Sequence, residues 1–325
     1  MLLQANEIRG CYSILPTPYT PIPISEYRGQ VSIDLDEAAR SVDQLIKDGS
    51  AAIMALGTTG EGSTINWNEF KAFTQTVVDA AAKRVPVLIG GTRMGTHETV
   101  DWLRYARDVG ADGSLLGIPM WQPCTEDIAV NFYKDISEAL PDFMIQAYAN
   151  PHAFRFDFPA SFWAKVAKVA PTVTSVKFMN PRIYKDCVKA VEGKINFLPF
   201  PEVVRDYTEQ EPEAVTALWA TSASMGPRPI IKLLEAWEKR DMERYEQIAA
   251  DIKWAGEPIM KPDGIIPSGE FPYYNIQFEK LRFEATGYIK CGPGRPPYDI
   301  MPDNFAADAL ENARRWLEVV EKYKD

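Results

Sequence analysis

The chain has 325 residues, 46% of them hydrophobic and 25% charged, with a formal net charge of −10. That composition supports a large soluble core, and the negative balance works against nucleic acid, whose phosphates it would repel. No apolar stretch approaches the roughly 20 residues that cross a bilayer, and residues 1–10 lack a secretory leader, so a cytoplasmic protein without membrane association is expected.

Apolar strand-like runs alternate with amphipathic helical patterns. Residues 11–15 read as a first strand, stopped by Pro16 and a proline-rich loop to Pro23. A helix follows from Leu35, with Asp34 as its cap, Ala38, Val42 and Leu45 at helical spacing, and Gly49 at its end. The second strand is 51–56, and Asn66 with Glu69 makes a capping pair for the next helix. Strands are then expected at 85–89, 113–116, 143–148, 173–178, 195–198 and 215–220, with intervening helices at 100–109, 128–140 and 162–169. Four further helices are expected at 230–239, 242–254, 274–286 and 305–323, with a rigid turn at 292–297 that carries no catalytic signal of its own.

Eight strands with interleaved helices, in units of roughly 25–30 residues, predict an α/β fold of the closed (β/α)8 TIM-barrel type with a C-terminal helical extension. A doubly wound sheet would want a glycine fingerprint after the first strand, where Pro16 and Pro18 stand instead. Residues 1–225 are expected to form the barrel core. Residues 226–325 would supply the last barrel helix and a helical appendage in the same structural unit, because no long linker separates them.

Barrel chemistry sits at the C-terminal ends of the strands. Lys177 ends a β-branched run there. A buried lysine is costly unless paired, neutral or chemically used, and the alternative is a side chain that reaches out to solvent. A neutral amine is a nucleophile toward ketones. Gly57-Thr58-Thr59-Gly60-Glu61-Gly62 follows the second strand as a turn whose N–H groups and hydroxyls suit a carboxylate, or as a turn chosen for geometry alone. Tyr148 ends the fifth strand, and Trp219 lies in the eighth. The four cysteines, Cys11, Cys124, Cys187 and Cys291, have no metal-ligand spacing, and two histidines, His97 and His152, make neither a triad nor a metal site. No metal is expected.

On Gly57-Thr58-Thr59-Gly60-Glu61, Tyr148…Pro151 and Lys177, the chain resembles the class I pyruvate aldolase family that includes N-acetylneuraminate lyase and dihydrodipicolinate synthase. The resemblance implies that Lys177 forms a Schiff base, Tyr148 transfers protons, and Thr58 and Thr59 hold a substrate carboxylate. Two departures argue against the synthase. Met120-Trp121 replaces its tyrosine pair, and His152-Ala153 stands where its substrate-binding arginine follows the proline. The segments 147–159 and 117–121, Trp219, Tyr274-Asn275-Ile276 and the turn before Tyr298 are similar to the hydratase-aldolases of aromatic hydrocarbon degradation that act on hydroxybenzylidenepyruvate and carboxybenzalpyruvate.

That similarity implies an aryl-substituted 2-oxobut-3-enoate as small-molecule substrate, cleaved to pyruvate and an aromatic aldehyde without a cofactor. A homotetramer is implied as well. Trp219 and Asn275 are the candidates for the aryl end, against barrel-top packing and a helix cap as their other roles. Met120 and Trp121 are candidate pocket walls. A lyase for a sugar-derived 2-oxo acid is the other enzymatic reading, and a barrel that binds without catalysis is a third.

Overall fold

The computed structural model describes residues 2–325. Eight parallel strands alternate with helices in chain order: β1 (Gly10–Leu15), α1 (Leu35–Lys47), β2 (Ala52–Ala55), α2 (Trp67–Ala81), β3 (Val87–Ile89), α3 (Thr96–Asp108), β4 (Gly113–Leu116), α4 (Glu126–Ala139) and β5 (Met144–Tyr148). The second half continues with α5 (Pro151–Phe154), α6 (Ala160–Val169), β6 (Val173–Lys177), α7 (Tyr184–Ala190), β7 (Asn196–Leu198), α8 (Val204–Thr208) and β8 (Ala217–Ala220). Four longer helices complete the chain: α9 (Arg228–Glu238), α10 (Met242–Met260), α11 (Phe271–Thr286) and α12 (Asp303–Lys322).

The ladder runs unbroken from β7 back to β1, and β1 pairs in parallel with β8 as well as β2. Between β7 and β8 the barrel is drawn together by the Trp219 N–H, which donates to Pro199 O at 3.0 Å. The expected barrel with its helical extension is therefore the fold. All strands run the same way, so the β2 turn, Tyr148, Lys177 and Trp219 share one end.

Local chemistry explains the element boundaries. Asp34 accepts from Glu37 N at the start of α1, and Asn66 with Glu69 forms the expected reciprocal cap on α2. β3 begins at Val87 instead of 85, since Pro86 has no N–H to donate and Val87 N is taken by Asp112 Oδ2 at 3.0 Å. Helix α10 runs past the expected end at 254 and through Pro258. The hydrogen bond that Pro258 cannot make to Trp254 O is replaced by Arg315 Nη1, 2.9 Å from that oxygen. Helices α5, α7 and α8 are too short to show a period in sequence.

The main hydrophobic core fills the space between barrel and outer helices and continues into Phe283, Ala313 and Trp316 of α11 and α12. A small second cluster of Ile265, Phe278, Phe305 and Ala309 packs α11 against α12. Among the described residues no helix is long and apolar enough to cross a membrane.

Candidate active site

The turn after β2 is held from both sides. Leu56 and Glu61 adopt left-handed backbone, at φ 58° and 55°. A Cβ on Gly62 would lie 2.2 Å from Leu56 O, so the turn closes this tightly only with glycine there. Thr17 Oγ1 donates to Gly60 O at 2.6 Å. The Glu61 carboxylate is buried beneath, accepting from Lys280 Nζ and from the Arg295 backbone N–H, each at 2.6 Å. Arg295 in turn donates to Glu69 Oε2 and Ser32 Oγ, at 2.7 and 2.9 Å. The 292–297 turn, which carried no signal in sequence, thus clamps the Thr58-Thr59 segment through Glu61.

Above this turn, Thr58 Oγ1 and the Tyr148 hydroxyl share a 3.0 Å hydrogen bond, and Asn150 Nδ2 donates to the same hydroxyl at 3.0 Å. Burial raises the Tyr148 phenol, and these two contacts oppose it. Tyr148 is the cross-strand partner of Lys177. Lys177 is 6% exposed, and its Nζ lies 3.4 Å from the Trp219 ring centroid and 4.5 Å from that of Tyr148. The indole is fixed by its own N–H, which donates to Phe178 O at 2.9 Å. Burial between two rings brings the Lys177 ammonium down from 10.5 to about 7, with Glu279 pulling the other way. A substantial fraction of the amine is therefore neutral near pH 7.

Behind the lysine lies a charged cluster that the sequence reading missed. Glu279 is buried and accepts from Arg282 Nε at 2.7 Å; Arg282 Nη1 donates to Asn312 Oδ1 at 3.0 Å. Ser222 Oγ donates to the half-buried Glu202 at 3.1 Å. Burial raises both carboxyls, and Arg282 lowers both. Asn275, Glu279 and Arg282 recur at i, i+4 and i+7 along α11, one stripe of the helix. That spacing of polar residues was the available signal.

A cavity of about 430 Å³ opens over these strand ends. Leu56, Thr58, Leu115 and Tyr148 line its floor, and Met94, Tyr273 and Tyr298, all well exposed, line its mouth. Asn275 and Met120 line it too. Asn275 sits in the second turn of α11 and not at its cap, and its Oδ1 accepts from Thr59 Oγ1 at 3.3 Å. Lys177 and Trp219 lie beneath the floor behind Tyr148 and do not line the cavity, and neither does Thr59. Trp121, expected as a wall, is 77% exposed and stands outside, because Arg155 Nη2 holds the Met120 and Trp121 carbonyls and the loop turns the indole away. Among the described residues no three His, Cys, Asp or Glu side chains cluster as a metal site.

The chain is 36% identical over 99% of its length to trans-O-hydroxybenzylidenepyruvate hydratase-aldolase of Pseudomonas aeruginosa, covering 96% of that protein. It is 31% identical, at 99% and 96% coverage, to trans-2'-carboxybenzalpyruvate hydratase-aldolase of Nocardioides sp. (strain KP7). Among solved structures, PhdJ bound to substrate intermediate superposes with a TM-score of 0.92 at 32% identity, over 99% of both chains. Residues 17–194 match the dihydrodipicolinate synthetase family. With the strand-end lysine, the paired tyrosine and the clamped Gly-Thr-Thr turn in one barrel, the chain belongs to the dihydrodipicolinate synthetase family.

Proposed function

We propose that this protein is a Schiff-base hydratase-aldolase that converts an aryl-substituted 2-oxobut-3-enoate and water into pyruvate and an aromatic aldehyde. The observation that carries the reading is Lys177, a buried amine brought down to about 7 and register-paired with a tyrosine whose hydroxyl is held by Thr58 and Asn150. The full-length similarity to hydratase-aldolases supports the same reaction.

Thr58, with Thr59 held behind it by Asn275, takes the substrate carboxylate and places C2 toward the amine, which rotates forward from its seat on Trp219. Lys177 Nζ adds to C2 and water leaves, giving an iminium that draws electrons from the conjugated alkene. Water adds at C4. The C3–C4 bond then breaks, the aldehyde departs, and the electron pair returns to the iminium as an enamine. Protonation at C3 and hydrolysis of the imine release pyruvate and restore the lysine. The Tyr148 hydroxyl relays the protons of addition and cleavage.

The lining favours an aryl group over a sugar chain. Leu56, Leu115, Met120, Phe154 and Ile276 offer a run of apolar area on which a flat ring can lie, beside the polar groups that hold the acid end. On family resemblance the working form is a cytoplasmic homotetramer in aromatic hydrocarbon catabolism, with residues 226–325 belonging to the same unit as the barrel.

Borohydride reduction in the presence of pyruvate tests the reading. A stable adduct on a peptide containing Lys177 is expected. Labelling at Lys185 or Lys189, or no label, would reject the imine mechanism, and no label would favour a barrel that only binds.

A further inference from the structure

Helix α5 has only four residues, and both of its ends bear on Tyr148. Asn150 caps it, with Oδ1 accepting from the Ala153 backbone N–H at 3.1 Å, and Pro151 at the first helical position sets the entry of the chain. Phe154 ends it, its ring edge-on to the Tyr148 ring at 5.5 Å and 84°. The phenylalanine fits because residue 117 is glycine, where a Cβ would lie 1.9 Å from Phe154 Cζ. Arg155 then ties the segment to the loop after β4 through Trp121 O, at 2.9 Å.

The cap decides which way the Asn150 amide faces. A backbone N–H only donates, so the atom that meets Ala153 N is the carbonyl oxygen. The other limb, 3.0 Å from the Tyr148 hydroxyl, is therefore the amide donor. A donor cannot take the hydrogen of the phenol. Among the described residues the one other partner of that hydroxyl is Thr58 Oγ1, at 3.0 Å. Thr58 and Tyr148 line the cavity, and Asn150 does not. The phenol hydrogen accordingly points to Thr58 or into the cavity, never back toward α5. The amide N–H remains on the oxygen after the proton leaves, where a donor meets a charged acceptor. Burial and the Glu279 carboxylate oppose ionisation of the phenol, and Thr58 and Asn150 favour it.

We infer that Asn150 is a positioning residue for proton transfer: its amide, locked by the α5 cap, turns the Tyr148 hydrogen toward the substrate side and holds the oxygen once that proton is gone. The inference rests on the reading of Lys177 and Tyr148 as amine and proton carrier. It gives the four-residue helix a task that its length denies it as a structural element.

Deuterium exchange into the methyl group of pyruvate, followed by NMR in D2O, reads this step without an aryl substrate. In the imine of pyruvate a C3 proton passes to the ionised Tyr148 oxygen, and the C–H electron pair becomes the enamine double bond and neutralises the iminium. A phenol that has exchanged with solvent then returns a deuteron to C3. Asn150→Ser and Asn150→Asp both keep a capping oxygen and lose the amide donor. Asn150→Ser should slow exchange by roughly 10- to 150-fold, the range for a hydrogen bond to a charged group. Asn150→Asp should slow it further, since an acceptor then draws the phenol hydrogen to the wrong side. Borohydride trapping of pyruvate at Lys177 should persist in both. In a Tyr148→Phe background Asn150→Ser should cost nothing more, because the amide acts only through the phenol. An equal further loss in that background would assign Asn150 to capping alone and overturn the inference, as would unchanged exchange in both variants. Trapping without exchange in the wild type also overturns it and leaves the imine standing. Exchange without turnover of any benzylidenepyruvate rejects the hydratase-aldolase reading, and the exchange rates still decide the role of Asn150. With neither trapping nor exchange in the wild type, both fall.

Discussion

Tyr148 and Lys177 are register partners on the adjacent parallel strands β5 and β6, and the lysine Nζ lies 4.5 Å from the tyrosine ring centroid. Opposed residues of neighbouring strands project from the same face of a sheet. The amine and the phenol proposed as nucleophile and proton carrier are thereby placed side by side by backbone pairing, and the 3.0 Å contact with Thr58 fixes the phenol.

The pH dependence of the reaction should report on Lys177. Imine formation needs the neutral amine, so kcat/KM should rise through an acid limb near 7. The Glu279 carboxylate favours the ammonium, so Glu279→Gln should move that limb to lower pH. A pH-rate profile of both proteins checks the direction; an unmoved limb would mean that Glu279 carries its proton across the range.

The same shift has a cost for stability. The folded-state value lies below the unfolded one, so the unfolded chain binds the extra proton between about 7 and 10.5. The penalty is fully present below the lower value and fades as pH rises to the upper. Lys177→Met should therefore stabilise the protein at pH 7, by on the order of 4 kcal/mol. Denaturant melts at pH 7 and pH 10 should show the gain shrinking at the higher pH.

Tyr148→Phe removes the hydroxyl that Thr58 and Asn150 hold. General acid–base catalysis contributes about 10²- to 10⁴-fold, and kcat should drop within that range. Pyruvate should still be trapped on Lys177, because carbinolamine formation begins with the amine. Loss of trapping along with turnover would show that the tyrosine is needed to seat the substrate.

Asn275→Ala should act on the ring end. Thr59 fixes the amide so that its donor half faces the cavity. Its removal should lower kcat/KM for 2-hydroxyphenyl and 2-carboxyphenyl substrates by roughly 5- to 150-fold relative to the unsubstituted ring. Equal losses on all three would assign Asn275 to holding Thr59 instead.

Lys280→Met tests the clamp beneath the Gly-Thr-Thr turn. It strands the Glu61 carboxylate, which is 0% exposed, with only the Arg295 N–H as partner. Breaking a buried pair costs about 3–5 kcal/mol, and the urea midpoint should fall accordingly. KM should rise as the turn proposed to take the substrate carboxylate loosens. Lys280→Met with Glu61→Gln should recover part of the stability, since the uncompensated charge is gone.

The strand-end triad was legible in the sequence because each member ends a short apolar run followed by a turn. Thr58, Tyr148 and Lys177 occupy equivalent places in a repeating unit, and the repeat itself announces a barrel with one chemical end. Caps such as Asp34 and the Asn66–Glu69 pair are equally local, spanning three residues. Glu61 and Lys280, by contrast, are 219 residues apart, and their pairing depends on α11 lying across the β2 turn. The same placement turns Glu279 and Arg282 inward, where a helix-period reading expects charges to face solvent. Trp121 was misread for a related reason, since a loop carbonyl held by Arg155 decides which way the indole points. Periodicity and turn chemistry depend on near neighbours and survive in a single chain read from end to end. Which buried charges meet, and which side chains reach the cavity, depends on how the last hundred residues pack over the barrel, and that only the tertiary structure decides.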